Sequence, residues 1–106
     1  MKHISTPSLS IIVPTLNEEN YIELLLKSIS QQEKSSICFE ILVVDGGSQD
    51  ETLNVAKEYN AKILVFPGLG EFASRNIGAE KAKGKYLLFT CSDIIFPKDL
   101  FKKVLD

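Results

Sequence analysis

Phe39-Glu40-Ile41-Leu42-Val43-Val44-Asp45-Gly46-Gly47-Ser48-Gln49-Asp50-Glu51-Thr52-Leu53-Asn54-Val55-Ala56-Lys57-Glu58-Tyr59 changes its hydrophobic period once, at Asp45. Up to Val44 the chain is nearly continuous in apolar, branched residues, the pattern of a strand covered on both faces. Beyond it, Thr52, Val55, Ala56 and Tyr59 fall at i, i+3, i+4 and i+7 and share one face of a helix. Asp45-Gly46-Gly47 supplies a turn, and Ser48 with Glu51 has the spacing of a capping box that opens the helix. The stretch is a strand feeding a helix.

The same alternation repeats on either side. Leu9 to Val13, Ile63 to Phe66 and Tyr86 to Thr90 read as further strands, giving four central strands in all. Asn17 is placed to cap a first helix whose Ile22, Leu25, Leu26 and Ile29 line one face. A third helix, from about Glu71 to Lys83, carries the weaker stripe Phe72, Ala73, Ile77 and Ala82, with Gly84 positioned to end it. Pro97 suits the first position of a fourth helix, inside which the chain stops, and this reads as a truncation. Alternating strands and helices predict an α/β fold, a Rossmann-like parallel sheet with flanking helices.

At 106 residues the chain predicts one domain, 1–106. With 44% hydrophobic and 25% charged residues it is ordinary globular protein, which argues against disorder or a disulfide scaffold. The net charge of -2 gives no footprint for a nucleic-acid backbone, so no nucleic-acid partner is expected. Cys38 and Cys91 form no metal-site spacing, which suits a reducing, cytoplasmic location. The apolar run after Ser8 is broken by Pro14 and is too short for a signal or a membrane span; membrane association would need a longer parent protein.

In open parallel sheets ligands bind beyond the carboxyl ends of the strands. The segments there read Pro14 to Glu19, Asp45 to Ser48, Pro67 to Gly70 and Cys91 to Asp93, and three carry a carboxylate: Glu18, Asp45 and Asp93. Singly, each has an ordinary explanation as a turn residue or a helix-dipole partner. Together on one rim they suit a cation or sugar hydroxyls. Arg75 and Asn76, on the first turns of the third helix, add groups for an anion, although a solvated helix arginine is the plain alternative. A nucleoside diphosphate with Mg²⁺ or Mn²⁺ needs that mixture.

Two glycine patterns compete. A Walker loop fails, because five residues separate Gly78 from Gly84. Gly68-Leu69-Gly70-Glu71-Phe72-Ala73 does match GxGxxG/A, with Asp93 about 20 residues later, so an NAD-type dinucleotide module is the alternative reading. It leaves Asp45 and the Pro14 to Glu18 segment without a role. His3 lies in a polar terminal segment and gets no catalytic part. Cys91 has no histidine to serve as its base and reads as a small packing residue.

Leu9-Ser10-Ile11-Ile12-Val13-Pro14-Thr15-Leu16-Asn17-Glu18-Glu19, Ile41 to Thr52, Ala73-Ser74-Arg75-Asn76-Ile77-Gly78 and Gly84-Lys85-Tyr86-Leu87-Leu88-Phe89 resemble, in that order, the opening of family 2 glycosyltransferases. The resemblance runs from Leu9 to about Asp99. It implies the N-terminal half of a GT-A fold, a nucleotide-diphosphate sugar donor, Mg²⁺ or Mn²⁺, and transfer with inversion to a saccharide or a lipid carrier. It assigns Thr15, Glu18 and Asp45 to the nucleobase and ribose and Arg75 to the base or diphosphate, with Pro14, Gly46 and Ser92 completing the nucleotide-binding set. Cys91-Ser92-Asp93 stands where the family has Asp-x-Asp: Asp93 keeps the metal position, and a cysteine replaces the first carboxylate. The residues that hold the acceptor and supply the catalytic base are expected beyond Asp93, so the chain reads as the donor-binding half, inactive alone. A strand order of 3-2-1-4 would leave 86–90 as an exposed apolar edge, from which a homo-oligomer is expected.

Overall fold

β1 (Leu9–Thr15) and β2 (Phe39–Asp45) pair in parallel along their whole length, from Leu9 opposite Phe39 to Thr15 opposite Asp45. β3 (Lys62–Val65) adds beside β2 and β4 (Tyr86–Phe89) beside β1, giving the order β3-β2-β1-β4, all parallel. The computed structural model describes residues 6–33 and 37–105; His3 lies outside them.

Side chains alternate across the sheet and make two cores. Leu9, Ile11, Val13, Ile41 and Val43 meet Ile22, Leu25, Leu26 and Ile29 of α1 (Ile22–Ser30) and Ala56 of α2 (Thr52–Glu58). Phe96 and Phe101 close the same core, Phe101 lying on α4 (Leu100–Leu105). On the opposite face Ile12, Leu42 and Val44 pack under α3 (Glu71–Lys81). No helix among the described residues is long and apolar enough to cross a membrane.

Several local expectations are corrected. Only β1 and β2 are central; β3 and β4 are edges, with most of their residues partly or fully exposed, because apolar composition alone does not tell a covered strand from an edge. Asn17 does not cap α1, which starts at Ile22 without a side-chain cap. Its Oδ1 accepts from the Gln49 N–H instead, at 2.9 Å. The capping box is absent too: Asp50 Oδ1 accepts from the Thr52 N–H at 2.9 Å, while Ser48 turns toward Asp45. Phe72 is 82% exposed, while Ile77 and Ala82 of the expected stripe do pack against the core, beside the buried Ser74 and Gly78. A Cβ on Gly78 would lie 2.5 Å from Ile12 Cγ2, so α3 sits closer to the sheet than a large inward residue allows. Gly84 does not terminate α3, which ends at Lys81 with Ala82 extended. Pro97 precedes α4 by a turn, its carbonyl accepting from the Leu100 N–H at 3.1 Å.

Candidate functional site

The chain adds strands on one side of β1 and then returns to place β4 on the other, so the topological switch lies between β1 and β4. β4 leaves the sheet early: its last pair is Phe89 opposite Ile12, three residues before β1 ends at Thr15. Pro14 has the parity of Ile12, whose carbonyl accepts from the Thr90 N–H on the β4 side at 3.1 Å. Its missing N–H therefore falls where β4 has already turned away, and a gap opens at the sheet's carboxyl rim.

That gap is a cleft in two joined halves. The first, about 220 Å³, is walled by Pro14 and Glu18 after β1, Glu71 and Arg75 on α3, and Thr90, Cys91, Ser92 and Asp93 after β4. The second, about 210 Å³, shares Pro14, Glu18 and Glu71 and adds Thr15, Leu16, Leu69, Gly70 and Ser74. A larger cavity of about 290 Å³ lies away from the rim, between β4 and α4, lined by Leu9, Tyr86, Leu87, Leu88, Leu100, Phe101 and Val104. It holds no charged side chain. The rim cleft is the better candidate for chemistry, because polar and titratable groups converge there.

Within the cleft the single guanidinium faces several carboxylates. Arg75 Nη2 lies 3.1 Å from Glu71 Oε2, and Arg75 Nε is buried with no hydrogen-bond partner among the described residues. Glu18 and the exposed Asp93 line the same half. Among the described residues no three His, Cys, Asp or Glu side chains converge as a metal cage. One or two carboxylates beside an arginine nevertheless fit Mg²⁺ or Mn²⁺ arriving with a diphosphate, since Mg²⁺ commonly takes most of its ligands from substrate oxygens and water.

Asp45 is fully buried and lines neither half. Oδ1 accepts from Thr15 Oγ1 at 2.6 Å and from Ser48 Oγ at 2.5 Å; Oδ2 accepts from the N–H groups of Gly47 at 2.8 Å and Ser48 at 2.6 Å. Burial pushes this carboxyl up, but the hydrogen bonds from Ser48, Thr15 and Gly47 outweigh it and hold it below the usual range. Gly46 also stands behind the cleft, its N–H donating to the Thr15 carbonyl at 3.0 Å.

Of the nucleotide-binding residues expected from sequence, Pro14, Thr15, Glu18, Arg75 and Ser92 lie on the cleft together with Asp93, while Asp45 and Gly46 do not. Asn76 is exposed and off the cleft. Cys91 is corrected from a packing residue to an exposed wall of the cleft. Leu16 and Leu69 lie in the rim segments expected from sequence but carry no role there, and Glu71 and Thr90 fall outside those segments. Glu71 is legible as the i,i+4 partner of Arg75, and Thr90 as the first residue past β4. The GxGxxG/A reading loses its ground, because Gly68 to Ala73 follow the outer edge strand β3 and not a strand at the switch. Open space surrounds Gly68 and Gly70, where that fingerprint needs glycine for close approach.

The family model described as Glycosyl transferase family 2 matches residues 10–106. The chain belongs to that family. It is 36% identical over 99 residues to the poly(ribitol-phosphate) beta-N-acetylglucosaminyltransferase TarS of Staphylococcus aureus, an alignment covering 88% of this chain and 17% of TarS. The crystal structure of S. aureus TarS 1-349 in complex with UDP superposes with a TM-score of 0.84 at 35% identity, over 91% of this chain and 30% of that one. Glucosyl-3-phosphoglycerate synthase from Mycobacterium tuberculosis, in complex with Mn²⁺, UDP and glucosyl-3-phosphoglycerate, superposes at 0.67 with 32% identity, over 93% of this chain and 38% of that one. These are GT-A enzymes, and the four-stranded sheet with its helices is the N-terminal portion of that fold. The chain spans 16% to 43% of the length of such curated relatives.

Proposed function

We propose that this chain binds the nucleotide-diphosphate sugar donor of an inverting family 2 glycosyltransferase, with UDP as the first nucleotide to test. The observation that carries the reading is the cleft at the β1/β4 switch, whose wall holds one arginine with an unsatisfied buried Nε together with the carboxylates of Glu18 and Asp93. Leu16, Leu69 and Pro14 give the second half an apolar wall for a planar base, and Thr15 and Glu18 border it. Arg75 takes the diphosphate oxygens, and Ser92 offers a hydroxyl on the same side. Asp93 holds Mg²⁺ or Mn²⁺ with the diphosphate; the cation, when bound, neutralises charge on the departing nucleoside diphosphate. The acceptor, a saccharide or lipid carrier, and the base for inversion belong to residues outside 1–106, so this chain alone holds donor without transferring it. The reading places the chain in the cytoplasm, where the exposed Cys38 and Cys91 stay thiols.

Calorimetric titration of UDP with and without Mn²⁺ tests this. UDP should bind more tightly with Mn²⁺, Asp93→Asn should abolish that gain, and NAD should give no heat. Failure of every nucleoside diphosphate to bind, with and without Mn²⁺, would remove the reading.

Among the described residues no strand pairs with the outer edge of β4, where Tyr86, Leu87 and Phe89 are exposed. Such an edge pairs readily with another strand, and we propose a second copy of this chain as its partner. Sedimentation equilibrium should show dimer rising with concentration, and Leu87→Lys should shift the protein to monomer. A wild-type monomer at the highest soluble concentration counts against it.

A further inference from the structure

Asp45 ends β2 directly opposite Thr15 at the end of β1. A carboxylate offers about four acceptor positions. Those of Asp45 are filled inside the protein, by two hydroxyls on Oδ1 and two N–H groups on Oδ2. A ligand donor reaching this buried side chain would have to expel one of them.

Ser48 passes the constraint onward. While its hydroxyl donates to Asp45, its oxygen accepts from the Asn17 N–H at 2.8 Å. Asn17 takes a left-handed backbone, φ 54°, which lets its Oδ1 accept from the Gln49 N–H. The next two N–H groups are held by the following helix entrance: Glu18 N–H donates to Thr52 Oγ1 at 2.8 Å and Glu19 N–H to Asp50 Oδ2 at 3.2 Å. The loop after β1 thus hangs from the loop after β2. Asp45 anchors one end, and the other presents Glu18, which borders both halves of the cleft.

Resting on the nucleotide reading of the cleft, we infer that Asp45 is a positioning residue, acting through Ser48 and Thr15 on the loop that presents Glu18 to the cleft. Asp45 holds its place by geometry and touches no ligand.

UDP affinity and amide hydrogen exchange on the same variants test the inference. Ser48→Ala removes the link and leaves Asp45 intact, and should weaken UDP binding about tenfold, the scale of one hydrogen bond to a charged group. Ser48→Thr keeps the hydroxyl and should restore affinity to within about twofold, a rescue that loss of folded protein would not show. Glu18→Gln should weaken UDP by about the same tenfold factor without changing exchange at Asn17. Asp45→Asn keeps an oxygen for the N–H groups of Gly47 and Ser48 but sets an NH2 against the hydroxyls of Thr15 and Ser48, which lose their acceptor, and should speed exchange at Asn17, two hydrogen bonds away. UDP binding that survives Ser48→Ala unchanged but is lost in Asp45→Asn overturns the inference, because Asp45 would then touch the nucleotide. Unchanged exchange at Asn17 in both Ser48→Ala and Asp45→Asn overturns it as well. If the wild type binds no nucleoside diphosphate, the functional reading fails by itself, and exchange at Asn17 still decides whether Asp45 holds the loop.

Discussion

Asp45→Ala should lower the unfolding free energy by about 4 kcal/mol, a large share of the ~5–15 kcal/mol that holds a typical domain together. The substitution deletes a fully buried acceptor and strands four donors: the hydroxyls of Thr15 and Ser48 and the N–H groups of Gly47 and Ser48. Thr15 is buried and Gly47 and Ser48 are half-buried, so donors left unpaired there regain only part of their hydration. The pH dependence should have a matching sign. In the folded chain Asp45 titrates below its ordinary value, because the donors outweigh burial. Its stabilisation is therefore complete above the unfolded pKa of about 3.9 and is lost as pH falls through the lower, folded value. Glu40 acts in the same direction: burial pushes it up, but the Ser10 hydroxyl, the Lys83 N–H and the Lys62 ammonium hold it down. Urea unfolding at pH 7 and between about pH 5 and 3 reads both effects. The wild type should lose stability across the acid window, and Asp45→Ala should show a shallower loss. A variant within about 1 kcal/mol of wild type at pH 7 would mean that the four donors find other partners.

The order of strands and helices was readable because each strand is an apolar run and α1 and α2 keep a helical stripe. Partners distant in sequence were not. Asn17 and Ser48 each have the residue type and spacing of a helix cap, yet Asn17 spends its side chain on the neighbouring loop and Ser48 donates to Asp45 while accepting from Asn17, a partner about 30 residues away in the chain and adjacent only once β1 and β2 pair. Asp45 looked like a ligand carboxylate because it ends a strand; whether its oxygens are free depends on the turn that follows, which residue type alone does not specify. Phe72 carried the hydrophobicity of a core residue, but the contact surface of α3 was set by Ser74 and Gly78, whose small size lets the helix approach Ile12. The cleft itself was legible through topology: parallel strands bring their carboxyl ends to one rim, and five of the seven residues assigned to the nucleotide, with Asp93, do line it, whereas the end of β2 does not.

Gly84→Ala should destabilise the chain by about 3 kcal/mol, through steric overlap and not through loss of a special backbone angle. A Cβ there would lie 2.6 Å from Ser10 Oγ, 2.7 Å from Ser10 N and 2.8 Å from Leu9 C. The last two atoms are the backbone of β1, which is paired on both sides, to Phe39 and to Tyr86 at Leu9, and has no free direction in which to retreat. The Gly84 N–H also donates to Ser10 Oγ at 2.8 Å, and Ser10 in turn donates to Glu40 at 2.5 Å, so the intruding methyl breaks a chain of bonds as it pushes the segment outward. Glu40 accepts from the Lys83 N–H as well, at 2.7 Å, so this crossing ties the connection between α3 and β4 to β1 and β2. Gly70→Ala is the control, because open space surrounds Gly70 and its φ of -77° suits any residue. It should stay within about 1 kcal/mol of wild type. Thermal unfolding of the two variants separates close approach from the general effect of adding a methyl group to a glycine. Equal stability of Gly84→Ala and wild type would show that the crossing opens freely. A strained crossing has a functional consequence too, since α3 carries Arg75 and β4 leads into Ser92 and Asp93: moving one against the other widens the cleft, and UDP affinity should fall together with stability.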